Sequence, residues 1–292
     1  LLYLPLYVAM EQGLFAKRGL DVHLVFAGND DQIFAAVMSG AAQFGIGDPV
    51  FTAISHDKGG PGKVVAMMIT KLGLGGVTNE AKVPQITSLK QLDGLRVSSF
   101  AAPSTTYTLL SEIKKQNHLK NMQIVQAPFG GQIATLEAGK ADIATDIEPS
   151  VSIAENKGYR VVFDLGKWTQ AQAITGVTTM EGTIKAHPKL VQKVVDAIQE
   201  AIDLMYAKPA ICYKVGQKIY PNLPAKVVHA AVNRMLREDM YPHSVVVTDA
   251  LWQRTLKTRL ENGDLKKPQS TGVAVDNRFA VQAQKDLNKA EK

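Results

Sequence analysis

Several short stretches of this chain combine residue types that can hold a small molecule. Ser104-Thr105-Thr106 opens a helical stretch. Its hydroxyls and free backbone N–H groups can grip the oxygens of an anion, helped by the helix dipole. The same residues would serve equally well as a plain N-cap. Gly130-Gly131 offers a second cluster of N–H groups, or simply a flexible turn into a helix. Asp48 (followed by Pro49), Asp146 and Glu148 are acids that follow apolar runs. If they face a ligand they favour an amine, amidine or hydroxyl; otherwise they cap the next helix. Tyr3, Phe100, Phe129 and Trp168 can stack on a planar ligand, or fill core and rim. Lys71 is the one cation in the corresponding loops of the first half. Anion-selective sites ordinarily use Arg or Lys, so the acids and the single lysine pull the ligand's expected charge in opposite directions.

Other chemistries find little support. The chain has one cysteine, Cys212, in a predicted late helix away from these loops, so no internal disulfide and no thiolate cluster can form. The six histidines make no H-x-x-x-H pair, and His56 and His118 follow helix-like stretches. Neither a metal site nor a Ser–His–Asp arrangement is expected, and no cofactor is implied. The net charge of +6 is uneven. Residues 1–180 hold 15 basic and 15 acidic residues, while residues 181–292 hold 18 and 12. The excess is spread over several helices, as on a solvated face, and not focused with aromatics as in a nucleic-acid reader. It can also help the chain meet an acidic partner or an anionic membrane surface. No apolar run approaches the ~20 residues needed to span a bilayer.

The elements that must position these loops read as α/β. Short apolar runs such as Lys63–Ile69 alternate with helices of modest length, the mark of a parallel sheet. Helices are expected over residues 5–18, 105–116 and 131–138, strands at Asp21–Phe26, Arg96–Ser99, Gln123–Gln126 and Asp142–Thr145, and a loop over 73–84. Beyond Pro188 the pattern becomes mostly helical, with an apolar stripe from Leu190 to Met205. One pattern occurs twice. AVMSGAAQFGIGD (36–48) and TLEAGKADIATDI (135–147) each carry a helical run, a Gly, then Ala with Gln or Asp, then an apolar strand. The same offset sets Leu24-Val25-Phe26 against Gln123-Ile124-Val125. Two such units in 292 residues suggest two similar lobes. Ligands of open α/β sheets bind outside the carboxyl ends of strands, which is the rule that selects Tyr3–Pro5, Asp48–Val50, Thr70–Gly75, Phe100–Thr106, Phe129–Gly131 and Asp146–Glu148.

The run Tyr7-Val8-Ala9-Met10-Glu11-Gln12-Gly13-Leu14-Phe15-Ala16-Lys17-Arg18-Gly19-Leu20-Asp21-Val22 resembles the opening helix of type 2 periplasmic solute-binding proteins. The branch it is most similar to is the one for nitrate, sulfonates, taurine and thiamine-pyrimidine precursors. Ser88–Val97 resembles the start of that family's second lobe, Ile147-Glu148-Pro149 its E-P turn, and His187–Val191 the start of its late helix. The likeness runs from about residue 5 to 290. It departs in one place: the family has a strand ahead of the opening helix, for which only Leu1–Leu4 remain. The expectation is that this strand and a signal peptide lie outside the present sequence.

The resemblance implies two α/β lobes with a ligand cleft between them, 1–92 plus 181–292 forming one and 93–180 the other. Hinge crossovers would lie near 92–96 and 178–182, with the helical C-terminal region on lobe one. It further implies a monomeric, extracytoplasmic, non-enzymatic receptor that hands a small solute to a membrane permease and its ATPase. The ligand would be a small organic anion or a heterocyclic vitamin precursor. Two alternatives share the fold: an enzyme such as a pyrimidine synthase or a cysteine-dependent desulfinase, and a ligand sensor without transport.

Overall fold

The computed structural model describes residues 1–102, 104–128 and 130–290. The chain begins with α1 (Leu4–Glu11), α2 (Asp30–Met38), β1 (Gly45–Gly47), α3 (Val50–Asp57), β2 (Lys63–Ile69) and β3 (Gly75–Thr78). Then come β4 (Arg96–Phe100), α4 (Thr105–Gln116), β5 (Gln123–Ala127), α5 (Gln132–Glu137), β6 (Ile143–Asp146), α6 (Ser150–Asn156), β7 (Arg160–Asp164) and β8 (Thr175–Thr179). Helices complete it: α7 (Glu181–Ala186), α8 (Pro188–Ala207), α9 (Pro209–Ile219), α10 (Ala225–Arg237), α11 (Asp249–Glu261), α12 (Thr271–Ala274) and α13 (Arg278–Ala290).

These elements form two compact units. One comprises Leu1, 72–169 and 219–238; the other 2–71, 170–218 and 239–292. The divisions fall at 71/72 and 169/170, not near 92–96 and 178–182 as expected. Strand pairing is the reason: β3 pairs with β6 and β7, whereas β8 pairs with β1 and β2. The segment 219–238, expected in lobe one with the other late helices, joins the unit of 72–169.

In the five-stranded unit the order is β5-β4-β6-β3-β7. β4 runs parallel to β5 and β6, and β3 is antiparallel to both its neighbours. β3 lies in the stretch expected to be loop. Its two glycines are the cause: a Cβ on Gly76 would lie 2.3 Å from the Phe163 ring, and one on Gly75 would lie 2.8 Å from Val151. Glycine disguises a strand in sequence, yet here it lets a fully buried one pass beneath large side chains. Leu74, Leu92, Val97, Leu110, Met122, Ile143 and Phe163 form the core of this unit.

In the three-stranded unit β8 lies between β1 and β2, antiparallel to both. β2 (KVVAMMI) is buried at six of seven positions, as its unbroken apolar run predicts. α8 begins at Pro188, suited to a first helical turn, and buries Val191, Val194, Val195, Ile198, Ile202 and Met205 along one stripe. α2 starts with a capping box between Asn29 and Gln32. The expected helix over 5–18 breaks after Glu11 and resumes as a short 3₁₀ turn, with Gly13 and Gly19 at positive φ. The expected strand Asp21–Phe26 does not pair with another strand; Val25 and Phe26 are 78% and 85% exposed. Beside it lies an apolar cavity of about 590 Å³ walled by Leu24, Phe26, Phe44, Ile46, Val194 and Ile198. Among the described residues, no helix is long and apolar enough to cross a membrane.

Candidate functional site

In the three-stranded unit the chain leaves β1 at Asp48. β1 can sit close beneath α2 because its ends are glycines: a Cβ on Gly47 would come within 2.7 Å of Asp30 Oδ1. The Asp48 N–H instead donates to Asp30 Oδ1 at 2.9 Å. Asp48 Oδ1 accepts the Val50 N–H at 2.9 Å, capping α3, whose first turn follows Pro49. Asp48 Oδ2 accepts from Arg259 Nη2 at 2.5 Å, and Arg259 Nη1 donates to Asp264 at 3.1 Å. Burial pushes the Asp48 carboxyl up to about 6 while Arg259 pulls it down. Burial, with Asp30, Tyr7 and Asp48 nearby, pushes the Tyr3 phenol up to about 12. Lys71 follows β2, half-buried, with no ion pair among the described residues.

In the five-stranded unit, Phe100 ends β4 and is 8% exposed within the apolar core, so it is a packing residue and not an open stacking platform. Ser104 caps α4, its Oγ accepting the Tyr107 N–H at 3.2 Å. Thr106 is buried; the side chain of Thr105 lies outside the described set, as does Phe129. Gly130 takes φ +79°, and the Gly131 N–H is consumed by a turn to the Pro128 carbonyl at 2.8 Å, so Gly131 does not offer a free donor. Asp146 ends β6, buried, with Oδ1 accepting the Ile147 N–H at 2.8 Å. Burial raises its carboxyl to about 6. Glu148 accepts from the Ser152 N–H (3.1 Å), the Ser152 hydroxyl (3.0 Å) and Arg234 Nη1. Arg234 Nη2 reaches Glu155 at 2.7 Å. Glu148 is therefore bound into the packing of α6 against α10. Trp168 packs at a tilt on Phe163, ring centroids 6.1 Å apart.

Gly75 pairs in register with both Asp146 and Asp164, so two acids flank it where β6 and β7 end. Asp164 accepts the Gly166 N–H at 2.9 Å. Its carboxyl is also bonded to that of Glu238, which burial, then Asp164, pushes up to about 8.

Sequence reasoning missed Arg234, Arg259, Asp30, Asp164 and Glu238. No local signal marks the two arginines: each meets its acid across 86 and 211 residues of chain. Chemically, the strand ends offer acids, hydroxyls and backbone groups, and each arginine beside them is held by two carboxylates. Cys212 is fully buried, with its thiol pushed up to about 12, and no group of His, Cys, Asp and Glu among the described residues could hold a metal.

Known structures share this architecture. The periplasmic aliphatic sulphonate binding protein SsuA from Escherichia coli matches at 19% identity and a TM-score of 0.74, over 94% of this chain and 89% of that one. The alkanesulfonate-binding protein SsuA from Xanthomonas axonopodis pv. citri, bound to MOPS, matches at 17% and 0.70 over 94% of each chain. The desulfurization enzyme DSZB matches at 17% and 0.69, over 97% of this chain and 96% of that one. Such identities establish the fold, which is that of the periplasmic binding proteins. No curated protein matches the chain. A family model described as NMT1/THI5 like matches residues 3–211, most of the chain, and the protein therefore belongs to the NMT1/THI5-like family.

Proposed function

We propose that this protein is the solute-binding component of an ABC-type importer. It works outside the cytoplasm and delivers a small molecule to a permease and its ATPase. The observation that carries this reading is the fold shared over nearly the whole chain with two sulfonate-binding proteins. The candidate ligand contacts of the five-stranded unit are Ser104, Thr105, Thr106, Asp146 and Trp168, and those of the three-stranded unit are Tyr3, Asp48, Pro49 and Lys71. The solute is an organic anion or a heterocyclic vitamin precursor, and the hydroxyl- and acid-rich loops favour the heterocycle. Mass spectrometry of small molecules released from the denatured protein identifies it. The released compound should then raise the melting temperature with concentration. A metabolite screen without any thermal shift sinks the reading.

The DSZB likeness favours one alternative, an enzyme acting on carbon–sulfur bonds. Against it stands Cys212, the only thiol, buried in α9 and held protonated at neutral pH. Turnover of biphenyl-2-sulfinic acid would reverse this preference.

A further inference from the structure

Of the two arginines that clamp the acids following β1 and β6, Arg259 is the more exposed. It stands beside the residue that follows β1 and keeps 22% of its side chain exposed. Arg234, by contrast, is 12% exposed and pinned against a Glu148 side chain that is 2% exposed. A guanidinium with free N–H groups grips sulfonate or carboxylate through paired hydrogen bonds. Both terminal nitrogens of Arg259 are already engaged by carboxylates, Nη2 by Asp48 and Nη1 by Asp264, so its charge is countered before any solute arrives. Asp30 adds a third carboxyl, accepting the Asp48 N–H. Three acids against one guanidinium leave this corner net negative.

We propose that Asp48 is a specificity-determining residue: by occupying Arg259 it denies anionic solutes their cation and restricts the ligand to molecules without net negative charge. The inference rests on the importer reading above and deepens it. Asp48 suits this role because its two oxygens do different jobs. Oδ1 caps α3 through Val50, and Oδ2 holds the arginine. An asparagine keeps the cap and releases Nη2, while Nη1 stays with Asp264. A proton does the same to the acid form. Protonation of Asp48, which burial already favours, therefore frees Arg259 in mildly acidic solution, with Asp30, Asp264 and Tyr3 the other titratable groups facing it.

The test is calorimetric titration at low salt with methanesulfonate, beside a panel of uncharged heterocycles and amines, for the wild type, Asp48→Asn and Asp48→Asn/Arg259→Gln. We expect the wild type to bind panel members and to bind methanesulfonate at least about tenfold more weakly than Asp48→Asn does. The double variant should lose the gain. Should Asp48→Asn fail to fold, the wild type titrated from about pH 7.5 to about pH 5 reports the same release, with Arg259→Gln as its control. Methanesulfonate affinity must then rise on acidification only when Arg259 is present. Equal sulfonate affinity in wild type and Asp48→Asn, or a gain that survives loss of Arg259, overturns the inference and leaves the importer reading standing. No binding by any protein to any member of the panel overturns the importer reading itself.

Discussion

The two units each contain the same corner, and the corners differ in depth. Asp48-Pro49 leaves β1 and starts α3; Glu148-Pro149 follows β6 and starts α6. In both, the acid accepts an N–H from the helix it precedes and is clamped by an arginine from a late helix, Arg259 of α11 or Arg234 of α10. In both, the arginine's other terminal nitrogen goes to a second acid. The second acids are both exposed, but the Glu148–Arg234 pair lies deeper than the Asp48–Arg259 pair, 2% and 12% exposed against 14% and 22%. Burial turns the first into a fastener between α6 and α10. Partial exposure leaves the second able to respond to solutes and protons.

The comparison breaks most decisively in a pair of arginine deletions. Arg234→Ala strands a buried Glu148 carboxylate and should cost about 3–5 kcal/mol of unfolding free energy. Arg259→Ala leaves Asp48 with a carboxyl already raised to about 6 and able to take up a proton, and should cost about 1–2 kcal/mol. Urea unfolding measures both, and equal losses would refute the difference in depth. A second contrast concerns the glycines under each corner's sheet. Gly76→Ala drives a methyl group into the buried Phe163 ring and should cost roughly 3 kcal/mol or more, while Gly47→Ala meets the movable carboxyl of Asp30 and should cost about half as much.

Protons should separate the units more gently. The carboxyls of Asp48 and Asp146 are both raised from their ordinary value near 4 to about 6. Between those values each of these groups binds more protons in the folded protein than in the unfolded chain, so their share of the stability declines as pH rises from 4 to 6, and Glu238, raised to about 8, extends the decline beyond it. Asp146→Asn should remove its share of that slope and raise stability at pH 7 by about 1–2 kcal/mol, because it relieves a buried charge. Melting curves from pH 4 to 7 would show it; an unchanged slope refutes the assignment. The smallest effect belongs to Ser104→Ala, which loses the α4 cap and should cost about 1 kcal/mol. If the same change also weakens ligand binding, Ser104 is more than a cap.

The doubled pattern shows how far local sequence reaches. Gly40 and Gly139 both adopt the positive φ that ends a helix, and strands follow each at Gly45 and Ile143. These outcomes need only a glycine without a Cβ and an apolar run. The preceding segment of the pattern is more apolar in the first copy (Leu24-Val25-Phe26) than in the second (Gln123-Ile124-Val125), yet the strand forms only at Gln123–Ala127. Leu24–Phe26 lacks a neighbouring strand in register, and a strand is a property of two segments. β3 fails in the reverse sense, since its glycines are strand-compatible only beneath Phe163 and Val151.

Sequence by itself determined the α/β class, most element boundaries, the helical late region and the acids that follow the strands. Periodicity, capping and backbone stiffness act over a few residues, so they can be read locally. Tertiary structure alone decided where the units divide, which strands are neighbours, and what each acid faces. Glu148 and Asp48 look alike in sequence; arginines 86 and 211 residues away make one a buried fastener and the other a more exposed ion pair. Charge acts through space and burial, and neither is encoded by the residues adjacent along the chain.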